Sequence, residues 1–444
     1  MRKEPSATEG SLLTALVTLT MPSLLTQIGQ TVGWLGEAYF VGQLGTTATA
    51  AIGAVGQVGW VLMGMTIMVS TGTTTLVAQR WGARDAHGAV RVEIAALQQS
   101  LLFSLLAVSV WFLRQPLWAL LNIPPAMQRL ADAYFAVALL SFPLMSVAVS
   151  LMAAYRGIGD MVTPLWATLV GVAVQLSLCA WCVPRWGISG AAFALAVSRG
   201  AVLAVLLGRL AQSPLRFSWA HCRTWCSRRH RDLLKLGLPA GLQSLLWSMA
   251  STVYFRLLAS TPEKESAIAA LTAGLRIEAI AFMPGIAFAT VAQALVGQCV
   301  GAKQWQRATA GAWQAALACA VTMSLMATFF FVMAEPLAVR FAKDALTQHY
   351  IAAYLRINAL SEPFLGIGMT LGGALRGLGD TATPALLNIV TLWLLRLPTT
   401  YWLCGVLGLD TVAAWWTMSV TTVVNGTLTA IAFAVRLRRA PAVS

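Results

Sequence analysis

Long apolar runs separated by short polar connections dominate the chain. Twelve of them are long enough to cross a hydrocarbon layer of ~30 Å, which takes roughly 20 helical residues each. They fall at 13–40, 47–73, 92–113, 131–152, 163–184, 188–210, 236–258, 268–296, 308–333, 350–373, 383–404 and 409–434. This pattern predicts an all-α, polytopic membrane protein of twelve transmembrane helices. The first run follows Arg2 and Lys3, but it is too long for a signal-peptide core and carries Pro22 and Glu37. It therefore reads as a retained helix.

The same pattern is written twice. YRGIGDMVTP, Tyr155 to Pro164, returns as LRGLGDTATP, Leu375 to Pro384, an offset of 220. Pro22 answers Pro239 at +217, and LVAQRWGA from Leu76 answers LVGQCVGA from Leu295 at +219. LLSFPL from Leu139 answers ALSEPF from Ala359 at +220, and Gly187 answers Gly408 at +221. Ordered matches with so little drift mark an internal duplication. Each half holds six spans, so both enter the bilayer from the same side, and the expectation is two pseudo-symmetric six-helix lobes with a substrate cavity between them. The lobes are 1–210 and 236–444, joined by a polar, basic cytoplasmic linker at 211–235.

In the repeated turn, Gly157 and Gly159 permit a tight reversal, Asp160 is placed to cap the next helix and Pro164 fits its first turn. Gly377, Gly379, Asp380 and Pro384 repeat these roles, with Arg156 and Arg376 at the interface. Topology explains these residues better than substrate contact does.

Composition agrees with a membrane protein: 58% of the 444 residues are hydrophobic and only 10% charged, too few to coat soluble domains. The net charge of +14 raises nucleic acid as a partner, but its placement argues against it. Nineteen Lys and Arg lie in the even-numbered connections and termini and six in the odd-numbered ones. That asymmetry is the positive-inside pattern, with both termini cytoplasmic. The seven cysteines are scattered and give no disulfide framework. HCRTWCSRRH, His221 to His230, has zinc-ligand residue types, yet it lacks a matching second half and reads as a solvated topogenic loop. No metal or cofactor is expected.

These motifs resemble the MATE family, the multidrug and toxic compound extrusion transporters of the prokaryotic branch. The carrying residues are MPSLLTQ and GEAYFVGQLG in the first span, LVAQRWGA, RGIGDMVTP and GISGAA. The second half adds RIEAIAFMPGIAFATVAQALVGQCVGA, SEPFLGIGMTLGGALRGLGDTATP and RLPTTYWL. The resemblance implies outward efflux of cationic or amphipathic small molecules, driven by antiport of protons or sodium across the bacterial inner membrane. It implies a transporter and not an enzyme, and the chain is expected to work as a monomer.

An ionised carboxylate at mid-membrane costs roughly 2.5–3.5 kcal/mol. Glu37, Glu278 and Glu362 are the acids well within spans. Thr26, Gln30, Gly33 and Glu37 recur at helical spacing and share one face, which would line the N-lobe side of the cavity. The resemblance implies a carboxylate at Glu37, where relatives usually carry Asp, so Glu37 is the candidate cation-coupling residue. A carboxyl in apolar surroundings suits a proton carrier. Relatives often show an N-x-x-x-D pattern in the fifth span, but this chain has Gln175 and Cys179, which removes an oxygen ligand for sodium and favours protons. Trp247 stands about where one branch has a glutamate.

Glu278 and Glu362 are expected either to bind substrate or cation or to pair with Arg256, Arg276, Arg356 or Arg396 across helices. Gln30, on the polar face of the first span, is a candidate substrate or cation contact, and Trp34, Trp247 and Tyr254, with Phe282, Met249 and Met283, could form an adaptable apolar wall for flat cargo, although packing accounts for such residues more readily. Trp111, Trp118, Trp181 and Trp402 read as interfacial anchors. Pro22, Pro143, Pro239, Pro284 and Pro363 are candidate bending points. Two alternatives to a drug exporter stay open: a flippase for a lipid-linked precursor, suggested by the five arginines within spans, and an exporter of zwitterionic or anionic metabolites. All four histidines lie in connections and no catalytic motif is present.

Overall fold

The computed structural model describes residues 9–217, 225–259, 261 and 263–438. Every one of the twelve apolar runs falls on a helix or on a broken helix pair. The first half holds α1 (Leu12–Gly42), α2 (Thr46–Gly82), α3 (Ala86–Ser109), the short α4 (Arg114–Leu120), α5 (Pro125–Leu140), α6 (Phe142–Ile158), α7 (Val162–Trp186) and α8 (Ile188–Leu210). The second holds α9 (Ser227–Leu258), α10 (Lys264–Gly301), α11 (Trp305–Val332), the short α12 (Ala334–Phe341), α13 (Ala345–Ala359) and α14 (Glu362–Gly377). It ends with α15 (Ala382–Ile389), α16 (Leu397–Thr400) and α17 (Thr411–Arg438), with π-helical turns at Val390–Arg396 and Tyr401–Val406 on either side of α16.

Among the described residues, nine helices are long and apolar enough to cross a membrane, and the pair formed by α5 and α6, bent by 45°, makes a tenth. The other two expected spans are α9, diluted by Gln243, Ser244, Ser248, Ser251 and Thr252, and the pair α13 and α14, interrupted at Leu360–Ser361. Pro143 and Pro363 stand in the first turns of α6 and α14, immediately after these breaks. Leu105, Phe112 and Leu325 leave most of their surface exposed, as lipid-facing side chains should.

The duplication is visible in backbone detail. α5 and α13 begin 220 residues apart, as do α6 and α14. Gly159 and Gly379 both take φ 91°, and Arg84 and Lys303, after α2 and α10, take φ 58° and 60°. Asp160 and Asp380 cap as expected: their Oδ1 atoms accept from the backbone N–H of Thr163 at 2.8 Å and of Thr383 at 3.0 Å.

The described residues divide into two compact units, the first comprising 9–10 and 17–241 and the second 11–16 and 242–438. Within unit 1, the N-terminal half of α9 packs on α2 through glycine. A Cβ at Gly237 would stand 2.1 Å from the Met68 carbonyl oxygen, and one at Gly72 would meet Leu233 O at 2.8 Å. Trp118 departs from the anchor role expected of it. It is fully buried, and its indole N–H donates to Oδ1 of Asp132 on α5 at 2.8 Å.

Candidate transport and ion-coupling site

In unit 1 the site forms around Glu37, near the end of α1. Gly29, Gly33 and Gly36 let α1 lie close to α7; a Cβ at Gly36 would meet Leu176 Cδ2 at 2.2 Å. That approach brings Gln175 of α7 to Glu37, its amide Nε2 donating to Oε2 at 2.8 Å. The Tyr134 hydroxyl of α5 donates to Oε1 at 2.6 Å. Arg199 of α8 lies within electrostatic reach of Glu37 and Tyr134. Its Nη1 is held by the Ala138 carbonyl at 2.8 Å and by Ser141 Oγ at 2.7 Å. The result is a half-buried carboxylate with a donor on each oxygen and, among the described residues, no direct ion pair.

Unit 2 repeats the donor with a different acceptor. The hydroxyl of Tyr354 on α13 donates to Glu278 on α10, and Trp415 packs edge-on against the Tyr354 ring with centroids 5.0 Å apart. Glu362, at the start of α14, is buried, its Oε2 has no hydrogen-bond partner among the described residues, and it interacts electrostatically with Glu278. Arg396 lies within electrostatic reach of Glu278, but its own hydrogen bonds go to Thr421 Oγ1 at 2.8 Å, Thr422 Oγ1 at 2.9 Å and the Met418 carbonyl at 3.2 Å. The π-helical turn that ends at Arg396 aims its guanidinium at α17.

The MatE family profile matches residues 22–181 and 239–402, one stretch in each half and most of the chain. This chain belongs to the MatE family. A probable multidrug resistance protein NorM of Thermotoga maritima is 25% identical over 434 residues, covering 94% of this chain and 91% of that protein. An FAD transporter of Shewanella oneidensis is 25% identical over 407 residues, covering 86% of each chain. A solved outward-facing structure of a multidrug resistance MATE transporter of the MOP superfamily superposes with a TM-score of 0.92 at 20% identity, covering 99% of both chains. The chain is thus a multi-pass membrane transporter of a multidrug-efflux family.

Within this MatE chain the remaining candidates separate clearly. On the face predicted for α1, Thr26 is buried and bonds its own Pro22 carbonyl at 2.7 Å, Gly33 packs on Val172, and Gln30 is exposed. Trp34 and Trp247 are 64% and 49% exposed. Tyr254 sits in the core of unit 2, and its hydroxyl donates to the Ala414 carbonyl at 2.8 Å. Arg356 pairs with Glu335 at 2.9 Å, while Arg256 and Arg276 are exposed, so among the described residues none of the four arginines forms a direct ion pair with Glu278 or Glu362. Residues 221–224 of the cysteine–histidine run lie outside the described residues, whereas His230 stacks on Trp225 and meets Gln98 Oε1 at 3.1 Å.

Sequence reasoning missed Tyr134, Tyr354 and Arg199 as partners. The two tyrosines carried a usable signal, because they stand 220 residues apart, in register with the repeated turn. Glu93 also escapes the sequence reading: the apolar run at 92–113 places it at a span end, but α3 begins at Ala86, which puts Glu93 two turns inside it.

Proposed function

We propose that the protein exports cationic or amphipathic small molecules across the bacterial cytoplasmic membrane in exchange for protons, with Glu37 as the proton carrier of unit 1. The observation that carries this reading is the partnering of Glu37. A tyrosine hydroxyl and a carboxamide can each donate or accept. The two groups that now donate to the ionised carboxylate can therefore turn to satisfy the neutral acid, and the site accommodates either protonation state without leaving a buried group unpaired. Sodium asks for several oxygen lone pairs. Glu37 instead faces N–H and O–H hydrogens, and Cys179 stands where the resemblance leads one to expect a further acid.

In this mechanism the ionised Glu37 is held by Tyr134, Gln175 and the field of Arg199. Proton uptake from outside removes its charge and with it the attraction to Arg199, so packing among α1, α5, α7 and α8 loosens as cargo leaves. Return to the inward state releases the proton to the cytoplasm. Glu278 and Glu362 supply a second acidic centre in unit 2, where two neighbouring carboxyls share charge most easily with a proton between them. The arginine asymmetry supports cytoplasmic termini, and a single chain suffices for the cycle.

The test is exchange in everted vesicles. Adding a cationic dye to energised wild-type vesicles should release protons, and Glu37→Gln should insert normally yet lose that response by about tenfold or more. Normal exchange in Glu37→Gln ends this reading, and transport in a sodium-only gradient would reverse the choice of ion. An exporter of anionic cargo is the second reading, favoured by exposed Arg256 and Arg276 and by the likeness to an FAD transporter. Uptake of FAD in preference to the dye by the same vesicles would select it. The flippase reading loses support, because Arg199 and Arg396 are spent on hydroxyls and carbonyls of their own units.

A further inference from the structure

Unit 1 contains a second buried acid for which the Glu37 mechanism has so far no use. Glu93 has no exposed surface. Its Oε1 accepts from Ser150 Oγ of α6 at 3.3 Å, and its Oε2 has no partner among the described residues. A carboxylate is rarely buried in this way without a countercharge. Tyr155 of α6, the titratable group facing it, donates its hydroxyl to the Leu206 carbonyl at 3.1 Å.

Glu93 is the foot of a polar seam. On α3, Glu93, Ser100 and Ser104 follow at steps of seven and four and so share one face, while Ser146 and Ser150 do the same on α6. The two faces meet: Ser146 Oγ donates to the Ser100 carbonyl at 3.3 Å, and Ser104 Oγ donates to the same oxygen at 2.7 Å. All four serines are buried, and Ser100 Oγ, like Glu93 Oε2, has no hydrogen-bond partner among the described residues. From Glu93 to Ser104 the seam climbs roughly 16 Å along α3. Five residues before Ser146, Ser141 is held by Arg199, the residue within reach of Glu37 and Tyr134. At the other end, Val92, next to Glu93, lines a cleft with Arg80, Asp85, Arg91, Arg229 and Asp232, all on the side that the arginine asymmetry assigns to the cytoplasm.

We propose that Glu93 is the cytoplasmic-side proton acceptor of unit 1, taking over the proton that Glu37 gives up and passing it to water at the Arg91 cleft. The Glu37 carboxyl gives its proton to water that enters the seam, the Ser150 hydroxyl accepts a proton from that water and hands its own to the Glu93 carboxylate, and Glu93 becomes the neutral acid. Its ionised form is restored when the proton leaves. The inference rests on the proton-antiport reading above.

The matched variants are Glu93→Gln, which reproduces the shape of the neutral acid, and Ser150→Ala, which keeps the acid and removes its hydrogen bond. In proteoliposomes of the full chain, two rates are read: proton-driven export of a cationic dye, and dye-for-dye counterflow, which needs no net proton movement. Glu93→Gln should slow driven export by about tenfold or more and leave counterflow near wild type, with Ser150→Ala between the two. A purely structural Glu93 predicts both rates unchanged in the glutamine variant, and that result overturns the proposal. Equal loss of both rates overturns it as well, since a transport cycle that fails without net proton movement is not failing at a relay. Wild-type protein and Glu37→Gln run alongside keep the two readings apart: if Glu37→Gln keeps driven export, the carrier assignment falls whatever Glu93 does.

Discussion

Tyr134 and Tyr354 occupy equivalent positions of the two halves, and each gives its hydroxyl to a membrane glutamate, yet the glutamates are not equivalent. Glu37 comes from the first helix of its half and Glu278 from the second of its own. At the +217 offset of the first helix, the counterpart of Glu37 is Tyr254, whose hydroxyl is spent on Ala414, and at +219 the counterpart of Glu278 is Gly59. The duplication kept the donor and moved the acceptor. A hydrogen bond to a charged group is worth about 1.5–3 kcal/mol, so Tyr134→Phe should lower proton-driven export about tenfold while the protein still inserts. Export at the wild-type rate in that variant would remove Tyr134 from the mechanism. The acids themselves were legible in the sequence, because a glutamate in an apolar run is conspicuous. Their partners were not: Tyr134 and Gln175 are ordinary residues for membrane helices, and they meet Glu37 only because α1, α5 and α7 fold together across 97 and 138 residues of chain.

Helix existence was legible from end to end, since apolar length alone dictates it, whereas breaks and close approaches depend on what a helix packs against. The interruptions at Ser141 and Ser361 leave no trace in hydropathy, and the prolines that mark them also occur inside the unbroken α1, α9 and α10. Close approach is clearest where α14 crosses α10 through Gly373 and Gly377, a small-xxx-small pair whose Cβ atoms would stand 2.1 Å from Ala289 O and 2.5 Å from Gln293 O. Neither backbone can yield without parting the helices. Gly373→Ala is therefore expected to cost about 1–3 kcal/mol, seen as a lower melting temperature in detergent. Its neighbour supplies the control: a Cβ at Gly372 meets Pro384 Cβ at an ordinary 3.7 Å, so Gly372→Ala should melt close to wild type. Equal losses at both sites would mean that helix propensity, and not the crossing, sets the effect.

At the scale of the whole chain, every functional statement depends on which side each connection faces, and one thiol can report it. Among the described residues Cys179, Cys182, Cys299, Cys319 and Cys404 are buried, while Cys226 lies in the connection leading into α9. The backbone N–H of Arg229, with the charges of Arg229 and Arg228, holds the Cys226 thiol below its usual range. The thiolate is the nucleophile, so Cys226 should react with a membrane-impermeant maleimide at a pH where an ordinary cysteine has already slowed. With Cys222 replaced by serine, labelling should appear in everted vesicles, be absent from right-side-out cells and disappear in Cys226→Ser. Labelling from the outside instead would invert the orientation drawn from the arginines. Glu93 and its cleft would then face the exterior, and the proton would have to travel the seam in the opposite direction.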